Sequence, residues 1–108
     1  MTDPAIEVID LLEMGNALAP DSDRPITGKV DGSVAIIRLE KGIDYPSEEH
    51  SSTETITAIE GEFAIVAQGA RYPVKRGSCI RIPPGVKHRW DPLSEAIVLV
   101  TFSGPIRN

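Results

Sequence analysis

Four side chains in this chain of 108 residues have the types and spacing to hold a cation: Glu48, His50, Glu54 and His88. They include both histidines of the sequence. On an extended strand, residues i and i+2 project to the same face, so Glu48 and His50 point the same way. Glu54 lies an even number of residues further on, and parity permits the same face if the chain does not bend between them. Later in the chain, His88 shares its face with Val86 and Trp90. Where such faces line one interior, two imidazoles and two carboxylates converge. Uncompensated, that is costly, because a buried carboxylate needs a partner or a proton. A divalent cation removes the cost by neutralising two negative charges and accepting four lone pairs. A blander reading stands beside it. Ser47, Ser51 and Ser52 around Glu48 and Glu49 also make a solvated polar loop, with Glu54 hydrogen-bonding one of the histidines.

The elements that must position these groups are short strands. From Val34 onward the apolar runs are Val34–Leu39, Thr55–Ile59, Phe63–Ala67, Arg71–Val74, Ser78–Ile82, Val86–Trp90 and Ala96–Phe102. Gly, Pro or charged turns separate them, which reads as about seven strands of an all-β fold, a small antiparallel barrel or sandwich. No stretch after residue 30 keeps helical spacing over ten residues. Residues 1–32 read differently. Ile6, Val8, Ile9, Leu11 and Leu12 form an apolar patch, a helical turn or a short strand, that needs a surface to cover. Asn16–Asp31, with Pro20, Asp21, Asp23, Pro25 and Gly28, has loop composition. The expected organisation is an arm over 1–32, packing on the barrel or on a partner, and a barrel over 33–108.

Composition narrows the function classes. With 41% apolar and 25% charged residues the chain can build a core, and its length fits one domain. Eleven Lys and Arg against sixteen Asp and Glu give a net charge of −5, a poor match for nucleic acid or anionic lipid. Ala96–Val100, the longest apolar run, is too short for a membrane helix. The acidic start Met1-Thr2-Asp3-Pro4 lacks the apolar region of a secretory signal. Cys79 is alone, which excludes an internal disulfide and suits the cytoplasm. It alternates with Ile80 and is expected as a packed thiol. Trp90 is expected in the core, Lys87 and Arg89 in solvent, and Tyr45 either at the barrel mouth or on the plain surface.

The spacing of the chemical residues resembles that of the cupin family. The first cupin motif, Gly, five residues, His-x-His, three or four residues, Glu, six residues, Gly, is matched by Gly42, Glu48, His50, Glu54 and Gly61, with Glu48 in place of the first His. The second, Gly, five residues, Pro-x-Gly, two residues, His, three residues, Asn, is matched by Gly77, Pro83, Gly85 and His88, with Pro92 in place of Asn. The resemblance implies a jelly-roll barrel, also called a double-stranded β-helix, and a metal site at Glu48, His50, Glu54 and His88. Two carboxylates and two neutral imidazoles balance a divalent ion and lean toward manganese or iron, with zinc or nickel as tight-binding competitors. It further implies a small organic ligand in the barrel and dioxygenase or isomerase chemistry; a non-enzymatic ligand-binding or sensor module is the alternative. Open sheet edges and the patch at Ile6–Leu12 lead us to expect a homodimer.

Overall fold

The computed structural model describes residues 6–26 and 33–103. One short helix, α1 (Leu11–Ala17), precedes eight strands: β1 (Ser22–Pro25), β2 (Val34–Leu39), β3 (Thr53–Glu60), β4 (Glu62–Ala67), β5 (Ala70–Lys75), β6 (Cys79–Ile82), β7 (His88–Pro92) and β8 (Ala96–Ser103). They form two antiparallel sheets, a five-stranded one in the order β1-β2-β8-β3-β6 and a three-stranded one in the order β5-β4-β7. The core fills the space between them. Ile56, Ala58, Val98 and Val100 from the larger sheet meet Phe63, Ile65, Val74 and Trp90 from the smaller. The Phe63 and Trp90 rings lie 5.5 Å apart at 33°, a tilted contact that suits their quadrupoles. This is an antiparallel sandwich of the kind the strand spacing predicts, and the jelly roll that the family resemblance implies.

Residue alternation explains which side chains reach the interior. In β7, His88, Trp90 and Pro92 are buried while Arg89 and Asp91 are not. In β3 the buried set is Glu54, Ile56 and Ala58. The period of two thus puts a carboxylate and an imidazole on the same inner faces as the apolar core. β8, at the centre of its sheet, is buried on both faces over Ala96–Val98.

The outer face of the larger sheet is covered by α1. Asp10 caps this helix, its side chain accepting from the Glu13 amide at 3.0 Å. Buried Gly15 lets α1 approach β8 closely, since a Cβ there would stand 2.4 Å from the Ile97 side chain. Arg38 donates to the Leu18 carbonyl at 2.8 Å, tying the end of the helix region to β2. The apolar patch therefore divides. Leu11 and Leu12 enter the helix, whereas Ile6 and Val8 are almost fully exposed.

Two expectations need correction. Part of the segment expected as loop, Ser22–Pro25, is a strand that pairs with β2 from Ser22↔Arg38 to Pro25↔Ala35. Pairing overrides composition here, and Pro25 is tolerated because β1 is an edge strand that can spare a donor. Cys79 is exposed, not packed. It does point away from Ile80 and Ile82, but β6 lies at the opposite edge of the sheet, where that outer face opens to solvent. The expected boundary between arm and barrel, at residues 32 and 33, falls beside residues 27–32, which lie outside the described residues.

Candidate metal centre

The four residues come together, and backbone pairing brings them there. Glu48 lies outside the named strands but forms an isolated antiparallel bridge with His88. One step along, the Gly85 amide donates to the His50 carbonyl at 2.8 Å. The Pro83-Pro84-Gly85 turn is thereby stitched to the first motif. Glu54 is set by strand register, opposite Ile82 on β6 and Phe102 on β8.

One potential ligand atom from each of Glu48, His50, Glu54 and His88 lies within 4.8 Å of all the others. Glu54 Oε1 is 2.8 Å from His88 Nε2 and 3.7 Å from His50 Nε2. Glu48 Oε1 is 3.3 Å from His50 Nε2 and 3.4 Å from His88 Nε2. The set is graded in depth: the Glu54 and His88 side chains are 2% and 0% exposed, those of His50 and Glu48 30% and 38%. Phe102, whose ring meets the His50 ring edge-on at 4.9 Å, walls the centre on one side. Glu48 Oε1 also accepts from Trp90 Nε1 at 2.9 Å, which fixes the orientation of the substituted position.

Hydrogen bonding sets the His88 tautomer at this centre. His88 Nδ1 is 2.9 Å from the Val86 carbonyl, a pure acceptor, so Nδ1 carries the proton. In the neutral ring Nε2 is then a bare lone pair, directed at the Glu54 carboxylate. His50 Nε2, His88 Nε2 and Glu54 Oε1 are all buried and none has a hydrogen-bond partner, the 2.8 Å approach of the last two notwithstanding. With His88 neutral, its Nε2 and Glu54 Oε1 are two buried acceptors 2.8 Å apart, and they repel unless a proton or a cation sits between them. A carbonyl-anchored imidazole that turns its free nitrogen inward is also the arrangement that orients histidine metal ligands. Burial pushes the Glu54 carboxyl above its usual range, and the charge of Glu48 adds to this, while His88 and His50 oppose it. A divalent cation bound among these atoms removes the penalty. The donor set fits such an ion.

The centre lines one end of a cavity of about 530 Å³ between the sheets. Ala35, Ile37, Leu39 and Val100 supply an aliphatic wall. Other contributions come from outside the two motifs. Asp21, Ser22 and Asp23 reach the cavity from the start of β1, and Tyr45 closes over it. The Tyr45 hydroxyl donates to Asp21 Oδ1 at 2.6 Å and accepts from the Glu40 amide at 3.3 Å. Burial and the Asp21 bond push its phenol up to about 12.

Comparison with known proteins agrees with this architecture. A family model described as a cupin domain matches residues 35–102. An uncharacterized protein of Streptomyces coelicolor, SCO3923, is 34% identical over 74 residues, covering 68% of this chain and 70% of that protein. Among solved structures, the conserved SPY1581 protein of unknown function from Streptococcus pyogenes superposes with a TM-score of 0.77 at 19% identity, over 97% of this chain and 93% of that one. A cupin-2 domain containing protein from Shewanella frigidimarina gives 0.73 at 20% identity, over 89% and 95%. His50, Glu54 and His88 and the glycines of both motifs stand at the required intervals, with Glu48 in place of the first histidine, on a jelly roll and within the matched residues; the chain belongs to the cupin family.

Proposed function

We propose that this protein is a metal-binding cupin that holds a divalent ion through Glu48, His50, Glu54 and His88 and binds a small organic molecule in the adjoining cavity. The observation that carries this reading is the convergence of three buried side-chain atoms without hydrogen-bond partners, His50 Nε2, Glu54 Oε1 and His88 Nε2, with the His88 tautomer set by the Val86 carbonyl. Two oxygen and two nitrogen donors favour manganese or iron; zinc and nickel compete through their higher affinity for such ligands. An ion there would supply Lewis-acid polarisation of a ligand oxygen for isomerase chemistry or, as iron or manganese, a redox-active centre for dioxygenase chemistry.

The protein's own groups do the rest. His88 and Glu54 are held deep in the barrel, His50 and Glu48 nearer the mouth, so a ligand that enters from the mouth meets the buried pair last. Elemental analysis of the purified protein and of a His50→Ala/His88→Ala variant tests the reading. Near-stoichiometric metal in the first and none in the second is expected; no metal in either overturns it. Oxygen uptake or turnover on a substrate panel then separates an enzyme from a non-enzymatic sensor or binding module.

Exposed Ile6 and Val8 and the open sheet edges support assembly as a homodimer. Sedimentation at micromolar concentration tests this, and a monomer boundary refutes it. No helix among the described residues is long and apolar enough to cross a membrane.

A further inference from the structure

The cavity is electrically one-sided. Four carboxylates line it, those of Glu48 and Glu54 at the centre and those of Asp21 and Asp23 at the β1 end, and among the described residues no Lys or Arg does. The nearest basic side chains on β1 and β2 do not offset this. Arg24 does not line the cavity, and Arg38 is engaged by the Leu18 carbonyl and by Glu95 at 3.2 Å. A divalent ion cancels the charges of Glu48 and Glu54, leaving Asp21 and Asp23 as a surplus of two negative charges. An anionic ligand would be repelled by that surplus and would find no cationic side chain to hold it. The rings of Tyr45 and Phe102 stand in the same cavity, and aromatic faces attract organic cations. The Tyr45 hydroxyl also fixes the Asp21 carboxylate in place. At the other end Glu54 Oε1, on a side chain 2% exposed, points at the centre without a partner.

We propose that the cavity selects a small organic cation that carries an oxygen donor, its positive end held by Asp21 and Asp23 beside the Tyr45 ring and its oxygen at the Glu48–His50–Glu54–His88 centre, where Phe102 forms a wall. The oxygen end of this assignment rests on the metal-binding reading; the charge preference rests on the cavity walls alone.

Choline and 3,3-dimethyl-1-butanol, a neutral isostere with carbon for nitrogen, separate charge from shape, and 3-hydroxypropionate supplies the anion. Calorimetric titration of the full chain with each probe, with and without Mn²⁺, is compared with the Asp21→Asn/Asp23→Asn variant. Asparagine keeps an acceptor for the Tyr45 hydroxyl and tolerates the positive φ of Asp21, so the variant is expected to fold. Choline should bind about tenfold tighter than its isostere, with no binding of the anion, and the preference should collapse in the variant while Mn²⁺ affinity is kept. Equal or tighter binding of the neutral or anionic probe, absence of saturable choline binding, or a preference that survives in the variant overturns the proposal. Failure of wild-type protein to bind Mn²⁺ overturns instead the metal reading, and the metal-free titrations still decide the charge preference.

Discussion

Glu48 and His88 face each other as a fully bonded antiparallel pair: the Glu48 amide donates to the His88 carbonyl at 2.8 Å, and the His88 amide returns the bond at 2.9 Å. Residues paired in this way carry their side chains on the same face. The approach of the two ligand positions is therefore a property of the main chain. It does not depend on glutamate being glutamate, which makes position 48 a clean place to vary the chemistry.

Replacing Glu48 by His restores the family's usual donor while the bridge to His88 holds the position. The E48H protein should keep stoichiometric metal and shift its preference among metals toward zinc and nickel, since imidazole is a softer donor than carboxylate. E48Q should weaken metal binding by about tenfold or more, having lost an anionic ligand. Competition titrations with Mn²⁺ and Zn²⁺ check both; metal affinity unchanged in E48Q would remove Glu48 from the ligand set.

His88→Ala leaves buried Glu54 with His50 Nε2, 3.7 Å away, as the one imidazole of the centre still beside it. Metal affinity should fall by at least about a hundredfold. Thermal unfolding with and without Mn²⁺ supplies the readout: the metal-dependent rise in Tm expected for wild type should vanish in the variant.

Gly61 should tolerate no side chain. Its φ is +73°, and a Cβ would stand 2.2 Å from the Glu95 carbonyl oxygen, which belongs to the backbone and cannot swing aside. Gly61→Ala should cost about 2 kcal/mol or more, a fall in Tm of roughly 8 °C or more for a domain of this size. A scanning calorimetry trace unchanged from wild type would contradict the tight turn between β3 and β4.

The Tyr45 phenol sets a pH dependence of known sign. Its folded-state value is about 12, above the ordinary 10, so the unfolded chain ionises first as pH rises. The stability contributed by the neutral phenol is intact below pH 10 and is lost between 10 and about 12. Absorbance titration should show one phenolate forming near pH 12, and Tyr45→Phe should abolish that transition. Absence of any transition near pH 12 would show that the Asp21 bond does not persist in solution.

Much of this was written into local spacing. The alternation of His88, Trp90 and Pro92 against Arg89 and Asp91 is a short-range pattern, and β7 follows it residue by residue. The two motifs place His50, Glu54 and His88 through turns that glycine and proline define locally. What stayed hidden depends on long-range pairing. β1 forms because Ser22–Pro25 finds an edge on β2, and nothing in that segment's composition announces a strand. Asp21 and Asp23 join the cavity through this pairing, so their role had no local signal, whereas Tyr45 takes the place at the mouth that was one of its two expected positions. Cys79 shows the same limit from the other side. Alternation gave its direction correctly, but whether anything covers that direction depends on where β6 lies in the sheet.

The chain has a single tryptophan, and its indole N–H is bonded to Glu48 at the centre. The excited indole is sensitive to the electric field along its ring system, and a charge change on that carboxylate alters the field at the donor nitrogen. The molecule thus carries an intrinsic fluorophore wired to its own centre, and emission wavelength alone can follow occupancy in real time, without a label.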